Sequence, residues 1–292
     1  MMAMLKVVDD VRPLDQIENW FSDADLMACF QAGQVFNVAQ PVVGADGLVT
    51  GIELLLRLNY PGLGIVSAGR FVKNIRQPDS YFAILQASLD AAERIIHMGI
   101  RDVTIAINIS EHDLLNPDVF PLLKARAKTL IRSRCAIVFE ISESIDFATN
   151  ERLEHATQRI SRLGYGFTLD DFLSAHSTTF PIRHFDLKAI KLDMGICNSY
   201  RTSVKDFALI KTFVYYCRLM GVSLIAEGVE DRDQFIELRA MGMQKFQGYL
   251  FSKPVEIERL VSRMIELGYA KRQRRTAMSE ASWRDAHDLS VI

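Results

Sequence analysis

Cysteine is scarce and unpaired in this sequence. Cys29, Cys135, Cys197 and Cys217 are scattered through 292 residues, with apolar or small neighbours and no CxxC spacing. That excludes a disulfide framework and a structural zinc site, and reads as reduced core thiols of a cytoplasmic protein. An excess of either charge is also missing: 34 Lys and Arg stand against 36 Asp and Glu, a formal −2. Such a balance offers no basic field to a nucleic-acid polymer or an anionic membrane. No run reaches the ~20 apolar residues of a membrane helix. The opening MMAMLKVVDD lacks the apolar core of a secretory signal. Phosphate-cradling glycine loops are absent as well. There is no Walker-type loop and no GxGxxG, and the glycines of GLGIVSAG (62–69) lack a strand–helix context. A nucleotide-binding kinase or dehydrogenase is therefore excluded.

What is present is an ordinary globular composition, 49% hydrophobic and 24% charged. Short β-rich runs occupy 35–43, 48–58, 102–110, 135–141, 166–172, 189–193, 223–229 and 245–251. Most are Val-, Ile-, Leu- and Phe-rich, as strands buried on both faces are. Helical spacing fills 81–99, 150–164, 205–221 and 232–242, with Gly near each C-terminus as a cap. Alternating βα units predict a mostly parallel sheet, and about eight of them in this length predict a modified (β/α)8 TIM barrel. The connection VGADGLV, with Asp46-Gly47, predicts a hairpin and hence one antiparallel strand near the N-terminus. An open doubly wound sheet is the alternative. The expected organisation is an N-terminal extension over 1–23, one barrel over 24–262, and a helix end with a polar tail over 263–292. The tail opens on KRQRR and reads as a solvated segment, with an anionic partner as the alternative.

The ends of these β-runs are unusually polar. Glu53 lies inside IELLLR, Asn108 ends IAINIS, and Glu140 ends IVFEI with Glu143 just after. Asp170 and Asp171 end FTLDDF, Lys191 and Asp193 end AIKLD, and Glu227 ends LIAEGVE with Glu230 following. Gln247 sits in KFQGY. Any one polar strand end is unremarkable as surface decoration. A ring of them marks the C-terminal face of a barrel, where such folds keep their chemistry. The ring carries hard oxygen ligands and no His or Cys, which favours Mg²⁺ or Mn²⁺. Carboxylates converging without a cation repel. Two divalent ions about 3.5–4 Å apart suit an in-line phosphoryl displacement by metal-activated water. Adjacent Asp170 and Asp171 then fit, one bridging both ions and the next binding the second. Lys191 would orient the nucleophile or neutralise a phosphate; its alternative is a salt bridge to Asp170 or Asp171. His176 reads poorly as a base, since metal-bound water needs none.

Taken in order, QPVV (40–43), GIELLLR (51–57), NIS (108–110), EISES (140–144), LDDF (169–172), IKLD (190–193), AEGVE (226–230) and QGYLFSKP (247–254) resemble the EAL domain family. The resemblance runs from about 24 to about 262. It implies hydrolysis of cyclic di-GMP to linear pGpG with two Mg²⁺ or Mn²⁺ ions. By motif, Glu53, Asn108, Glu140 and Asp170 resemble ligands of the first ion, and Asp170, Asp171 and Glu227 ligands of the second. Lys191 matches the lysine that contacts the nucleophilic water, with Glu230 and Gln247 as supporting positions. Gln40 and Arg57 match substrate-contacting positions, and Glu143 matches an anchor for the loop after the paired aspartates. A homodimer is also implied, with a protein partner as a route of regulation.

The chain departs from the family pattern at two places. The signature reads Glu53-Leu54-Leu55, with Leu where the family has Ala. After Asp171 the family has a glycine-rich turn, whereas this chain reads Phe172-Leu173-Ser174-Ala175-His176-Ser177-Thr178. Glycine permits positive φ and leucine resists it. The altered loop motivates a second expectation: a catalytically weak barrel that acts as a cyclic di-GMP receptor or a protein-binding regulator.

Overall fold

A computed structural model of the protein describes residues 21–131, 133–174 and 179–269. The expected hairpin opens the fold. Strand β1 (Val35–Gly44) turns at Asp46-Gly47 into β2 (Val49–Tyr60), and the two pair antiparallel with Gln40 opposite Glu53. Gly47 holds φ 76°, and the Asp46 carboxylate accepts from the Leu48 N–H at 3.1 Å. The turn chemistry read from the sequence is therefore the one that reverses the chain.

From β2 the sheet runs parallel through β4 (Thr104–Asn108), β5 (Ala136–Ser142), β6 (Gly166–Phe172), β7 (Leu187–Leu192), β8 (Ser223–Ala226) and β9 (Lys245–Phe246). Strand β9 then pairs antiparallel with β1 and closes the ring. The result is an eight-stranded barrel in which β1 alone runs against both neighbours. Two short strands lie outside the ring: β3 (Gly64–Ser67) on β2, and β10 (Val255–Glu256) on β1. Neither was expected from the sequence. The expected strand over 245–251 also shortens: after Phe246 the chain turns, with Phe251 N–H on Gly248 O at 3.1 Å.

Helices wrap the ring. They include α1 (Asp23–Gln31), α2 (Pro78–His97), α3 (Glu111–Leu115), α4 (Val119–Ile131) and α5 (Glu151–Arg162). Next come α6 (Phe180–His184), α7 (Met194–Ser199), α8 (Val204–Met220), α9 (Arg232–Met241) and α10 (Ile257–Glu266). In α2, Leu85, Leu89, Ala92, Ile95 and Ile96 recur at helical spacing and bury one face against the barrel. Pro78 starts that helix and Gly99, φ 86°, follows its end. A second cluster joins Phe21, Leu26 and Cys29 to Leu56, Leu58, Phe71 and Ile75 under the β2–β3 extension. All four cysteines are free and buried. No described helix is long and apolar enough to cross a membrane.

The inside of the barrel sets the floor of the site. Val42, Ala189 and Ile225 form a small apolar cluster there. They line a cavity of about 50 Å³ together with Glu140, Thr168 and Lys191, among others.

Candidate active site

The parallel strands end on one rim, and the side chains singled out in the sequence meet there around a single lysine. Lys191, on β7, is only 2% exposed. Its Nζ lies 2.8 Å from Asp170 Oδ1, 2.8 Å from Glu227 Oε1, 3.2 Å from Glu140 Oε1 and 3.4 Å from Glu53 Oε2. The salt bridge considered for Lys191 thus exists to Asp170, and extends to three further carboxylates contributed by β2, β5 and the segment after β8.

Paired aspartates on a regular strand would point to opposite faces. A bulge removes that constraint. Leu169 pairs with Ile190 and Phe172 with Leu192, so Asp170 and Asp171 together oppose Lys191. Asp171 takes φ 54°, a left-handed backbone that Asp tolerates better than most residues. This irregularity re-aims the second aspartate, the usual service of a bulge beside a site. Oxygens of Asp170, Asp171 and Glu227 then lie within 4.8 Å of one another.

A second network holds Glu53 from the other side. Gln247, just past β9, donates from Nε2 to Glu53 Oε2 and to Gln40 Oε1, the latter at 3.2 Å. Gln40 Nε2 in turn donates to the Ser252 carbonyl at 3.0 Å. Gln40 is buried, and both of its amide atoms are bound within the protein.

Charge does not balance in this cluster. One ammonium faces Glu53, Glu140, Asp170 and Glu227, with Asp171 beside them. Burial alone would lower the Lys191 pKa, but the surrounding carboxylates outweigh it and hold the group well above its ordinary value. Burial and then the Glu53 charge push Glu140 well above the usual carboxylate range. Burial lifts Glu227 to about 8 against the pull of Lys191. Partial burial, reinforced by Asp170, lifts Asp171 to about 6. Without further positive charge the cluster retains protons near neutrality.

These residues fit a divalent cation. The Asp170–Asp171–Glu227 group offers oxygen donors only, which matches Mg²⁺, Mn²⁺ or Ca²⁺ in preference to softer ions. Glu140 Oε2 is buried without a hydrogen-bond partner, an acceptor that a cation would satisfy.

Other predicted positions lie around the cluster. Asn108 ends β4 directly opposite Glu140 on β5, and its side chain is exposed at the rim. Arg57 is four residues beyond Glu53 on β2, and its guanidinium donates to the Leu56 carbonyl at 2.8 Å. It lines an open cleft of about 420 Å³ with Tyr249 and Lys253. Glu143 is buried and accepts from Ser174 Oγ in the loop after Asp171. Glu230 is exposed, and its backbone N–H donates to Gln234 Oε1 at 3.0 Å. His176 lies outside the described residues.

Sequence reasoning passed over Ser174, Ser252 and Arg263. Ser252 lies within QGYLFSKP and Ser174 within the altered loop after Asp171, but neither was given a role. Arg263, on α10, bonds Phe251 O and Ser252 Oγ. Nothing in its local sequence announces that.

The EAL domain family pattern matches residues 22–254, and the chain belongs to that family. Over 240 residues it is 27% identical to the cyclic di-GMP phosphodiesterase RocR of Pseudomonas aeruginosa, covering 80% of this chain and 61% of RocR. The structure of the EAL enzyme Bd1971 in its cAMP- and cyclic-di-GMP-bound form superposes with TM-score 0.72 at 26% identity, over 86% of this chain and 69% of that one. Klebsiella pneumoniae BlrP1 in a manganese and cyclic di-GMP complex shares the fold, with TM-score 0.66 at 22% identity, over 76% of this chain and 56% of that one. This chain therefore spans about three fifths of RocR.

Proposed function

We propose that this protein is a metal-dependent phosphodiesterase that hydrolyses cyclic di-GMP to linear pGpG. The observation that carries the reading is the convergence of Glu53, Glu140, Asp170 and Glu227 on the buried Lys191 at the strand-end rim of an EAL barrel. The names of RocR, Bd1971 and BlrP1 support the substrate, and the manganese complex of BlrP1 supports the cation class.

Glu53, Asn108, Glu140 and Asp170 would hold one Mg²⁺ or Mn²⁺, and Asp170, Asp171 and Glu227 a second. Bound there, the ions supply a lowered pKa for a coordinated water and neutralise charge at the scissile phosphate. Lys191 places a fixed positive charge beside the attacked phosphate and the incoming oxygen. It is held in the cationic state by the carboxylates around it. Gln247 fixes one oxygen of Glu53 by hydrogen bonding, and Glu230 supports the nucleophile from the rim. Arg57 sets the substrate, offering its guanidinium at the cleft beside Tyr249, while Gln40, its amide bound to Gln247 and to the Ser252 carbonyl, bears on the substrate through that network. Glu143 steadies the loop after Asp171 through Ser174. The reading extends to a cytoplasmic homodimer, which sedimentation of the purified chain would check.

One observation favours a second reading. Leu173 takes φ 70° in the loop where the family carries glycine. A loop under that strain suits a cyclic di-GMP receptor with little turnover. Incubation of the protein with cyclic di-GMP and Mn²⁺, with pGpG followed by chromatography, separates the two. The hydrolase reading expects product from the wild type and none from Glu53→Ala. Binding without product, in Mn²⁺ and in Mg²⁺, would transfer the assignment to the receptor.

A further inference from the structure

A surface arginine one helix away from the carboxylates is tied to them through a short chain of hydrogen bonds. Arg263 lies on α10, and its side chain is 34% exposed. One edge of its guanidinium pairs with Glu266 at 2.7 Å. The other faces the turn that follows β9: Nε donates to Ser252 Oγ at 3.1 Å and Nη2 donates to the Phe251 carbonyl. A fork of fixed donors on two acceptors holds a backbone segment in position and orientation together.

The segment so held carries the Ser252 carbonyl, and that carbonyl decides how two buried amides face. It accepts from Gln40 Nε2 at 3.0 Å, which leaves Gln40 Oε1 to accept from Gln247 Nε2 at 3.2 Å. Gln247 Nε2 then also reaches Glu53, and Gln247 Oε1 is left buried without a donor. Were the Ser252 carbonyl to withdraw, Gln40 would lose the acceptor that fixes its orientation. A rotated Gln40 would turn Gln247 as well and bring the Gln247 oxygen against the Glu53 carboxylate. Oxygen facing oxygen there would repel Glu53 from the arrangement its neighbours require.

The turn also carries bonds of its own. Gly248 makes the turn possible, since a Cβ there would sit 2.1 Å from the Val229 carbonyl oxygen. Leu250 N–H on Val229 O, at 3.1 Å, fixes the first half of the turn. In the second half the Phe251 and Ser252 N–H groups both donate to Gly248 O, at 3.1 and 3.2 Å, and the Arg263 fork adds the tie to α10.

We propose that Arg263 is a positioning residue for the carboxylate site, acting through the Ser252 carbonyl, Gln40 and Gln247 on Glu53. The proposal rests on the hydrolase reading for its kinetic consequence but not for its effect on cation binding. Partners that orient ligating carboxylates are typically worth about tenfold or more in metal affinity or activity.

The test compares wild type, Arg263→Met and Arg263→Lys by Mn²⁺ titration calorimetry without nucleotide, by kcat and KM for cyclic di-GMP, and by thermal melting. Arg263→Met keeps the apolar stem and removes the fork. It is expected to weaken Mn²⁺ binding and lower kcat about tenfold, with KM within about twofold and the melting transition still cooperative. Arg263→Lys, which can satisfy one acceptor, should recover part of both losses. Wild-type Mn²⁺ affinity in Arg263→Met would overturn the proposal. So would a loss of activity that tracks only the loss of folded protein. If the wild type yields no pGpG while Arg263→Met still weakens Mn²⁺ binding, the positioning role stands and the hydrolase reading fails.

Discussion

Two rim loops leave their strands through a left-handed residue close behind a site carboxylate. After β8 that residue is Gly228, φ 64°, next to Glu227. After β6 the left-handed residues are Asp171, φ 54°, and Leu173, φ 70°. Glycine takes that backbone freely, Asp with modest strain, and Leu at a cost of roughly 1–2 kcal/mol. The β8 loop is thus relaxed and the β6 loop is held. Edge-to-face packing of Phe172 on Phe213, 4.7 Å between centroids, and the Ser174–Glu143 hydrogen bond do the holding. Leucine also contributes there, because Leu173 packs against the main core. The bulge that brings Asp171 beside Asp170 and Glu227 is imposed by surrounding packing, while the turn behind Glu227 is intrinsic to its glycine.

The sharpest way to break the site shared by both loops is Lys191→Met. It leaves Glu53, Glu140, Asp170 and Glu227 facing one another with no lysine, and turnover should fall about 100-fold or more. Retention of pGpG formation within a few-fold would remove Lys191 from the account.

Next in size is the pH response of the metal-free protein. Glu227 and Asp171 have folded-state pKa values raised from 4.5 to about 8 and from 3.8 to about 6. The folded state therefore binds more protons than the unfolded one, and stability falls as pH rises from about 4 towards 8. Lys191, held above its ordinary 10.5, stays charged throughout this window. Asp23, Asp146, Asp231 and Glu237, whose pKa values are lowered, contribute an opposite slope that is spent by about pH 5, before the range tested. Urea midpoints in a chelator should decline from pH 5 to pH 8, and Mn²⁺ should abolish the decline. A flat profile in the chelator would contradict the charge assignment.

Gly228→Val tests the relaxed loop directly. Its Cβ would meet Met194 Cγ at 2.2 Å, and a β-branched residue resists φ 64°. A loss of about 2–3 kcal/mol in chemical denaturation is expected. Leu173→Gly should do the least. Strain of about 1–2 kcal/mol is released as a similar amount of packing is lost, so the melting temperature should stay within a few degrees. A drop as large as that of Gly228→Val would show that Leu173 is unstrained.

Much of this was legible in the sequence because it is periodic or local. The barrel followed from βα alternation, and the reversal of β1 followed from Asp46-Gly47 between two apolar runs. The carboxylates followed from their place at strand ends, since the C-terminal rim of a parallel barrel gathers whatever its strands end on. The bulge was not legible: FTLDDF gives no sign that Asp170 and Asp171 share one partner residue on β7. Strand β3 and the early end of β9 were missed because pairing, not composition, decides where a ladder starts and stops. The Arg263 connection is tertiary, formed between α10 and a turn, and carries no local pattern.

The most direct test of the central claim is calorimetric titration of the wild-type protein with Mn²⁺ at pH 7, in two buffers of different ionisation heat. If the rim carboxylates, whose pKa values are raised by burial and by one another, are a cation site, two Mn²⁺ ions bind per chain and protons are released on binding. Absence of binding, or binding without proton release, would contradict the claim.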